Sequence, residues 1–204
     1  SPASAPCTLT GCCISYGHAL TYRALGDVLC ELLGVRESDS RDEIIERLGS
    51  RRILGLTLGL DVAGGLHPLA AVERLRIAWR DLLRALVADR PAVVLVEDLH
   101  WAQHDLLDLL EYLTDGVDGP LLFVSTARPE LVSSRPSWGR RRHASAIWLE
   151  PLAPDDAARL VAEAPEHLRR PVLEQAEGNP AFIHIRCGGI LEAADIVTPE
   201  TEAR

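Results

Sequence analysis

Apolar positions along this chain follow two different periods, and the change of period marks the elements. From Pro68 to Asp89 they recur at Val72, Leu75, Trp79, Leu82 and Leu86, the spacing of one helical face. Thr21 to Leu33 repeats that spacing through Tyr22, Leu25, Leu29 and Leu32, with Gly34 where a C-cap belongs. Ser40-Arg-Asp-Glu43 is a capping box that opens a short helix through Ile44, Ile45 and Leu48, stopping at Gly49. Another helix is predicted from about Gln103 to Thr114, with Leu106, Leu107, Leu110 and Leu113 turned inward. Between these helices the pattern becomes continuous. Val93 to Val96, just after Pro91, predicts a strand buried on both faces of a parallel sheet. Leu121 to Thr126 predicts a second buried strand, and Thr8 to Ile14 a weaker one.

Helix, strand, helix, strand with short connections is the pattern of an α/β fold with a parallel sheet. Residues 50–66 are Gly-rich and fit no period. Beyond Arg135 the character changes: an arginine-rich loop (Arg140, Arg141, Arg142) leads to a short strand expected at Ala146 to Leu149. From Pro151 onward only helices are expected, the first opened by Pro154 with Asp155 and Asp156 behind it. The organisation that follows is an α/β core over residues 1–150 and a small helical subdomain over residues 151–204.

Composition narrows the function classes. Apolar residues make up 47% and charged residues 25% of 204, ordinary for a soluble globular protein. A net charge of −9 argues against direct binding of nucleic acid. With no apolar stretch of membrane length and no signal-peptide core, the expectation is a cytoplasmic protein. Five cysteines contain no C-x-x-C pair, so neither a zinc knuckle nor a disulfide framework is expected. The chain has no methionine, which suggests a fragment. It also has no lysine: all 21 basic residues are arginine.

The candidate chemistry sits where the Val93–Val96 run ends in Glu97 and Asp98. Ligands in open α/β sheets bind beyond the carboxyl ends of the strands. Two carboxylates there can divide the labour of a nucleotide site, one holding Mg²⁺ and the other orienting the attacking water. Any buried strand can also end in acids because solvent begins at the sheet edge. His100 and His104, four residues apart, raise a zinc-dependent hydrolase, although H-W-A-Q-H lacks the glutamate of H-E-x-x-H. Trp79, Trp101, Trp138 and Trp148 read as packing anchors.

Taken in order, several segments resemble the P-loop ATPase module of the AAA/STAND type, as found in large bacterial LuxR-type or SARP-type regulators and in adenylate-cyclase-linked proteins. They are S-Y-G-H-A-L-T-Y-R-A-L (15–25), V-L-V-E-D-L-H-W-A (94–102), S-T-A-R-P-E-L (125–131), R-P-S-W-G (135–139), L-E-P-L (149–152) and E-G-N-P-A-F (177–182). The resemblance implies a P-loop NTPase-like core followed by a lid-like helical part, with ATP and Mg²⁺ as cofactors. Glu97 would then take the Mg²⁺ position of Walker B and Asp98 the water-activating one. Arg128 would sense the γ-phosphate, and the Gly178-Asn179-Pro180 turn would lie near adenine. It further implies an output domain, DNA-binding or cyclase, on the same full-length polypeptide, and leaves self-association open.

The departures carry as much information. The family's phosphate loop, G-x-x-x-x-G-K-[ST], needs a lysine, and none of the 204 residues is one. The resemblance begins just past where that loop and its helix would end. The expectation is therefore a core truncated at its N-terminus, binding Mg·ATP weakly or not at all and exposing an apolar sheet face. A decayed ATPase kept as a non-catalytic interaction module is the alternative. Gln103 stands where the family usually has Asp, which weakens the following helix's N-cap.

Overall fold

A computed structural model of the chain describes residues 5–15, 21–36, 38–139, 143–162 and 164–184. The expectations for Arg140 to Arg142 and for the chain beyond residue 184 lie outside these residues. Two compact units emerge, Ser1–Trp138 and Gly139–Arg204.

The first unit is mixed α/β. In chain order it contains β1 (Cys7–Cys12), α1 (Arg23–Leu33), α2 (Arg41–Leu48), a 3₁₀ segment (Gly49–Leu58), α3 (Pro68–Asp89) and β2 (Ala92–Glu97). A 3₁₀ turn (Leu99–Trp101), α4 (His104–Gly116), β3 (Leu121–Ser125) and α5 (Glu130–Ser134) complete it. The three strands form one sheet in the order β1-β2-β3, with both neighbouring pairs parallel. This is the parallel α/β core that the sequence pattern predicts.

Local chemistry explains most boundaries. Gly34 closes α1 in the left-handed region (φ 62°), where its missing Cβ avoids strain. Ser40 and Glu43 form the reciprocal capping box: the Ser40 N–H donates to Glu43 at 2.6 Å and the Glu43 N–H to Ser40 Oγ at 3.3 Å. The Ser40 backbone N–H, and after it the Ser40 hydroxyl at 2.7 Å, donate to the Glu43 carboxylate and hold it below its ordinary range. Pro68 sits in the first turn of α3. At α4 the N-cap is Gln103, whose side chain makes no cap bond and instead accepts from Thr21 Oγ1 at 3.0 Å.

The core lies on one side of the sheet. Strands that step in one direction with right-handed crossovers place their connecting helices on a single face. Leu9, Val94 and Val96 on that face are at most 2% exposed and pack with Leu29 of α1, Trp79 of α3 and Leu109 of α4. Gly11 is needed there, because a Cβ would lie 1.9 Å from the Ala24 carbonyl oxygen. Arg135, at the C-cap of α5, is fastened to Asp108 and Glu111 of α4.

The opposite face is far less covered, which corrects the expectation of strands buried on both sides and accords with the exposed apolar sheet face expected of a truncated core. In β3, Leu122 is 56% and Val124 39% exposed. Their register neighbours Val93 and Leu95 are half-buried, and Thr8 and Thr10 are exposed. Sequence period reports a strand's intrinsic apolarity; it cannot report whether a covering element is present.

The second unit holds α6 (Pro154–Leu160) and α7 (Glu166–Ala176), and residues 180–184 are helical. Ala157, Val161, Val172, Ala176 and Ile183 form its small core. The strand expected at Ala146 to Leu149 is not formed. Ile147 and Leu149 are 86% and 92% exposed, and no described strand pairs with them. An apolar run becomes a strand only when it finds a ladder partner. Trp148 and Trp101 are likewise exposed, so the packing-anchor reading holds for Trp79 and Trp138 alone. Among the described residues no helix is long and apolar enough to cross a membrane.

Candidate functional site

The C-terminal end of β2 is a sharp corner held by its neighbour. Glu97 is the last residue of the strand, paired in register with Cys12 of β1, and its carbonyl accepts from the Cys13 N–H at 2.9 Å. Asp98 then adopts a left-handed backbone (φ 54°, ψ 39°), which Asp tolerates better than most residues. Non-glycine residues in this region concentrate at functional sites. The corner is stitched to the chain leaving β3: the Asp98 N–H donates to Thr126 Oγ1 at 3.1 Å, and the Leu99 N–H to the Thr126 carbonyl at 2.8 Å. Both carboxylates are exposed.

Arg128 lies two residues past Thr126 and is also exposed. Glu97 and Asp98 thus stand at the C-terminal edge of the sheet, bonded to Thr126, and Arg128 follows in the chain that leaves β3 there. Sequence reasoning missed a further acid there. Asp27 of α1 accepts from the Cys12 N–H through Oδ2 at 3.2 Å, which brings its carboxylate to the same edge. Asp27 stands in α1 among Ala24, Leu25, Val28 and Leu29, all of which are buried.

The cysteines at this edge register the accumulated negative charge. Burial, then Asp98, Glu97 and Asp27, push the Cys12 thiol above its ordinary value. Burial first, then Cys12 and the acids, pushes Cys13 up to about 12. Neither thiol supplies a thiolate nucleophile near neutral pH.

His100 and His104 do not cooperate. The His100 ring is buried behind the corner, its Nδ1 4.0 Å from Asp98 Oδ1, with neither ring nitrogen hydrogen-bonded. His104 is exposed at the start of α4. Among the described residues no three His, Cys, Asp or Glu side chains stand close enough to hold a metal ion, so the zinc-hydrolase alternative lacks a ligand set. Mg²⁺ makes a different demand, since it commonly takes one or two carboxylates and completes its shell with phosphate oxygens and water. The exposed Glu97 and Asp98 fit that pattern.

In the second unit, Gly178, Asn179 and Pro180 form a helix start. Asn179 Oδ1 accepts from the N–H groups of Ala181 (3.0 Å) and Phe182 (3.3 Å), the geometry of an N-cap with proline at the first helical position. Gly178 has φ 78° and its carbonyl accepts from the Leu152 N–H at 2.8 Å. A Cβ there would come within 2.8 Å of the Leu152 carbonyl oxygen, so the turn requires glycine.

Comparison with known proteins yields one match. No curated protein and no solved structure matches significantly. The sequence profile of the AAA ATPase domain matches residues 2–124, a span that takes in α1, α3 and the whole sheet except Ser125. Matched over more than half of its length, and carrying its acidic corner on the central strand of a parallel sheet, the chain belongs to the AAA ATPase domain family.

Proposed function

We propose that this chain is part of an ATP-dependent regulatory switch of the STAND type, serving signal transduction or transcription control in the cytoplasm. The observation that carries the reading is the corner itself: two exposed carboxylates, Glu97 and Asp98, on a strained turn bonded to the strand that leads to Arg128. Glu97, with Asp98, would hold the Mg²⁺ of a Mg·ATP complex. That ion, when bound, neutralises charge on the β- and γ-phosphates. Asp98 would orient the attacking water, a role commonly worth ~10²–10⁴ in rate. Arg128 would meet the γ-phosphate with a fork of donors suited to its oxygens. Gly178, Asn179 and Pro180 form a turn held by the Asn179 cap, and the AAA/STAND resemblance gives that turn the adenine-contacting role.

The partner expected is an output domain of the DNA-binding or cyclase class on the same full-length polypeptide. The bare sheet face, with Leu122 and Val124 exposed, supports an element docking on it, and no lysine for a phosphate loop stands among the 204 residues. The same bare face is what favours the second reading, an interaction module descended from an ATPase.

Isothermal titration of the 204-residue chain with Mg·ATP tests the proposal. No saturation below about the millimolar range is expected, equivalent to less than roughly 4 kcal/mol of binding. Micromolar affinity would overturn the claim that a phosphate loop must be added. If a chain completed with such a loop still fails to bind, the interaction-module reading replaces the switch.

A further inference from the structure

A cleft of about 670 Å³ opens between the 3₁₀ segment, the Val62–Leu66 loop and α3, well within the size range of small-molecule sites. None of its lining residues belongs to the corner at Glu97 and Asp98. Three of them are arginines: Arg51, Arg52 and Arg74. All three are exposed and make no side-chain hydrogen bond or ion pair among the described residues. Elsewhere Arg80, Arg135, Arg159 and Arg170 each hold a carboxylate. The one acid in the lining, Asp81, is already engaged by Arg80 at 3.0 Å.

The remaining wall is apolar. Ile53, Val62 and Leu66 are half-buried and Ile77 is 37% exposed. Guanidinium forks match phosphate and carboxylate oxygens, while an aliphatic wall offers them nothing. Such a wall gains only by covering apolar surface, at about 25 cal/mol per Å². We propose that this cleft binds an amphiphilic anion, a phosphate or carboxylate head group on an apolar chain, as an effector separate from the nucleotide. The arginines take the head and the Ile53–Ile77 wall takes the chain.

Methyl NMR titration of the full 204-residue chain tests the assignment, with hexyl phosphate, hexanoate, inorganic phosphate and hexyltrimethylammonium as probes. Hexyl phosphate or hexanoate, whichever head group the forks prefer, is expected to shift the Ile53, Val62 and Ile77 methyls saturably. Inorganic phosphate and the cationic amphiphile should bind at least about tenfold more weakly. The triple variant Arg51→Gln, Arg52→Gln, Arg74→Gln should weaken the better anion by about tenfold or more. These side chains are exposed and unpaired, so the variant should keep its far-ultraviolet dichroism. The wild-type shift map stands independently of that variant. The proposal is overturned if the anions leave the cleft methyls unmoved through the millimolar range, or if the shifts fall on Leu122 and Val124 instead. It fails equally if the cationic amphiphile or inorganic phosphate binds as well as the better anion.

Discussion

The two faces of the three-stranded sheet both carry apolar residues on β2 and β3, the open one adding Thr8 and Thr10 on β1, and have met different fates. One face, through Leu9, Val94 and Val96, is sealed by α1, α3 and α4. The other leaves Leu122 and Val124 exposed at the β3 edge. Because β1, β2 and β3 step in one direction, every connection that the chain supplies falls on the same side. Burial in this fold is therefore decided by connectivity. Hydrophobicity of the strand residues is necessary for it but not sufficient, as the exposed Leu122 and Val124 show.

Four measurements test this contrast between the faces. The largest effect should come from Trp79→Ala on the sealed side, where a fully buried ring fills the junction of α3 with the sheet. Urea unfolding should show a loss of about 3–5 kcal/mol. A loss like that of a surface residue would mean that the sealed side is not the core.

Next comes pH. Cys13 is 5% exposed and its thiol is pushed from 9.0 to about 12, so the fold keeps it protonated where the unfolded chain would ionise it. Its contribution is fully present below pH 9 and is lost as pH rises towards 12. Between pH 9 and 10.5 the cost should be on the order of 1–2 kcal/mol. Cys13→Ala should flatten that slope whatever it does to stability at neutral pH, and an unchanged slope would remove Cys13 from the account.

Ser40→Ala removes the capping box of α2, at the margin of the core, and should cost about 1 kcal/mol in the same unfolding assay. The smallest change belongs to the open side. Replacing Leu122 and Val124 together by Thr should alter stability by less than about 0.5 kcal/mol. It should also lower binding of an apolar dye such as anilinonaphthalene sulfonate. If that pair costs as much as a core residue, the second face is covered in solution and the contrast disappears.

Much of the first unit was legible because its signals are local. The period of α3, the Gly34 cap, the Ser40–Glu43 box and the valine run of β2 each depend on residues within a turn or two of one another. Glu97 and Asp98 were legible as a pair because they end that run. Asp27 was not, because its place at the sheet edge depends on where α1 packs, and Gly11 makes that packing possible. The strand expected at Ala146 to Leu149 failed for the complementary reason: its apolar pattern is real, but pairing is a property of a neighbour. The arginine cleft was invisible in sequence, since Arg51, Arg52 and Arg74 come together only across the bend between the 3₁₀ segment and α3.

The left-handed corner at Asp98 gives the experimenter an unusually clean instrument. Asparagine visits that backbone region as readily as aspartate and would keep the amide that donates to Thr126. Exchanging one for the other therefore deletes a formal charge at the tip of the central strand while leaving the turn's shape intact. What the residue carries is thereby separated from how it is held.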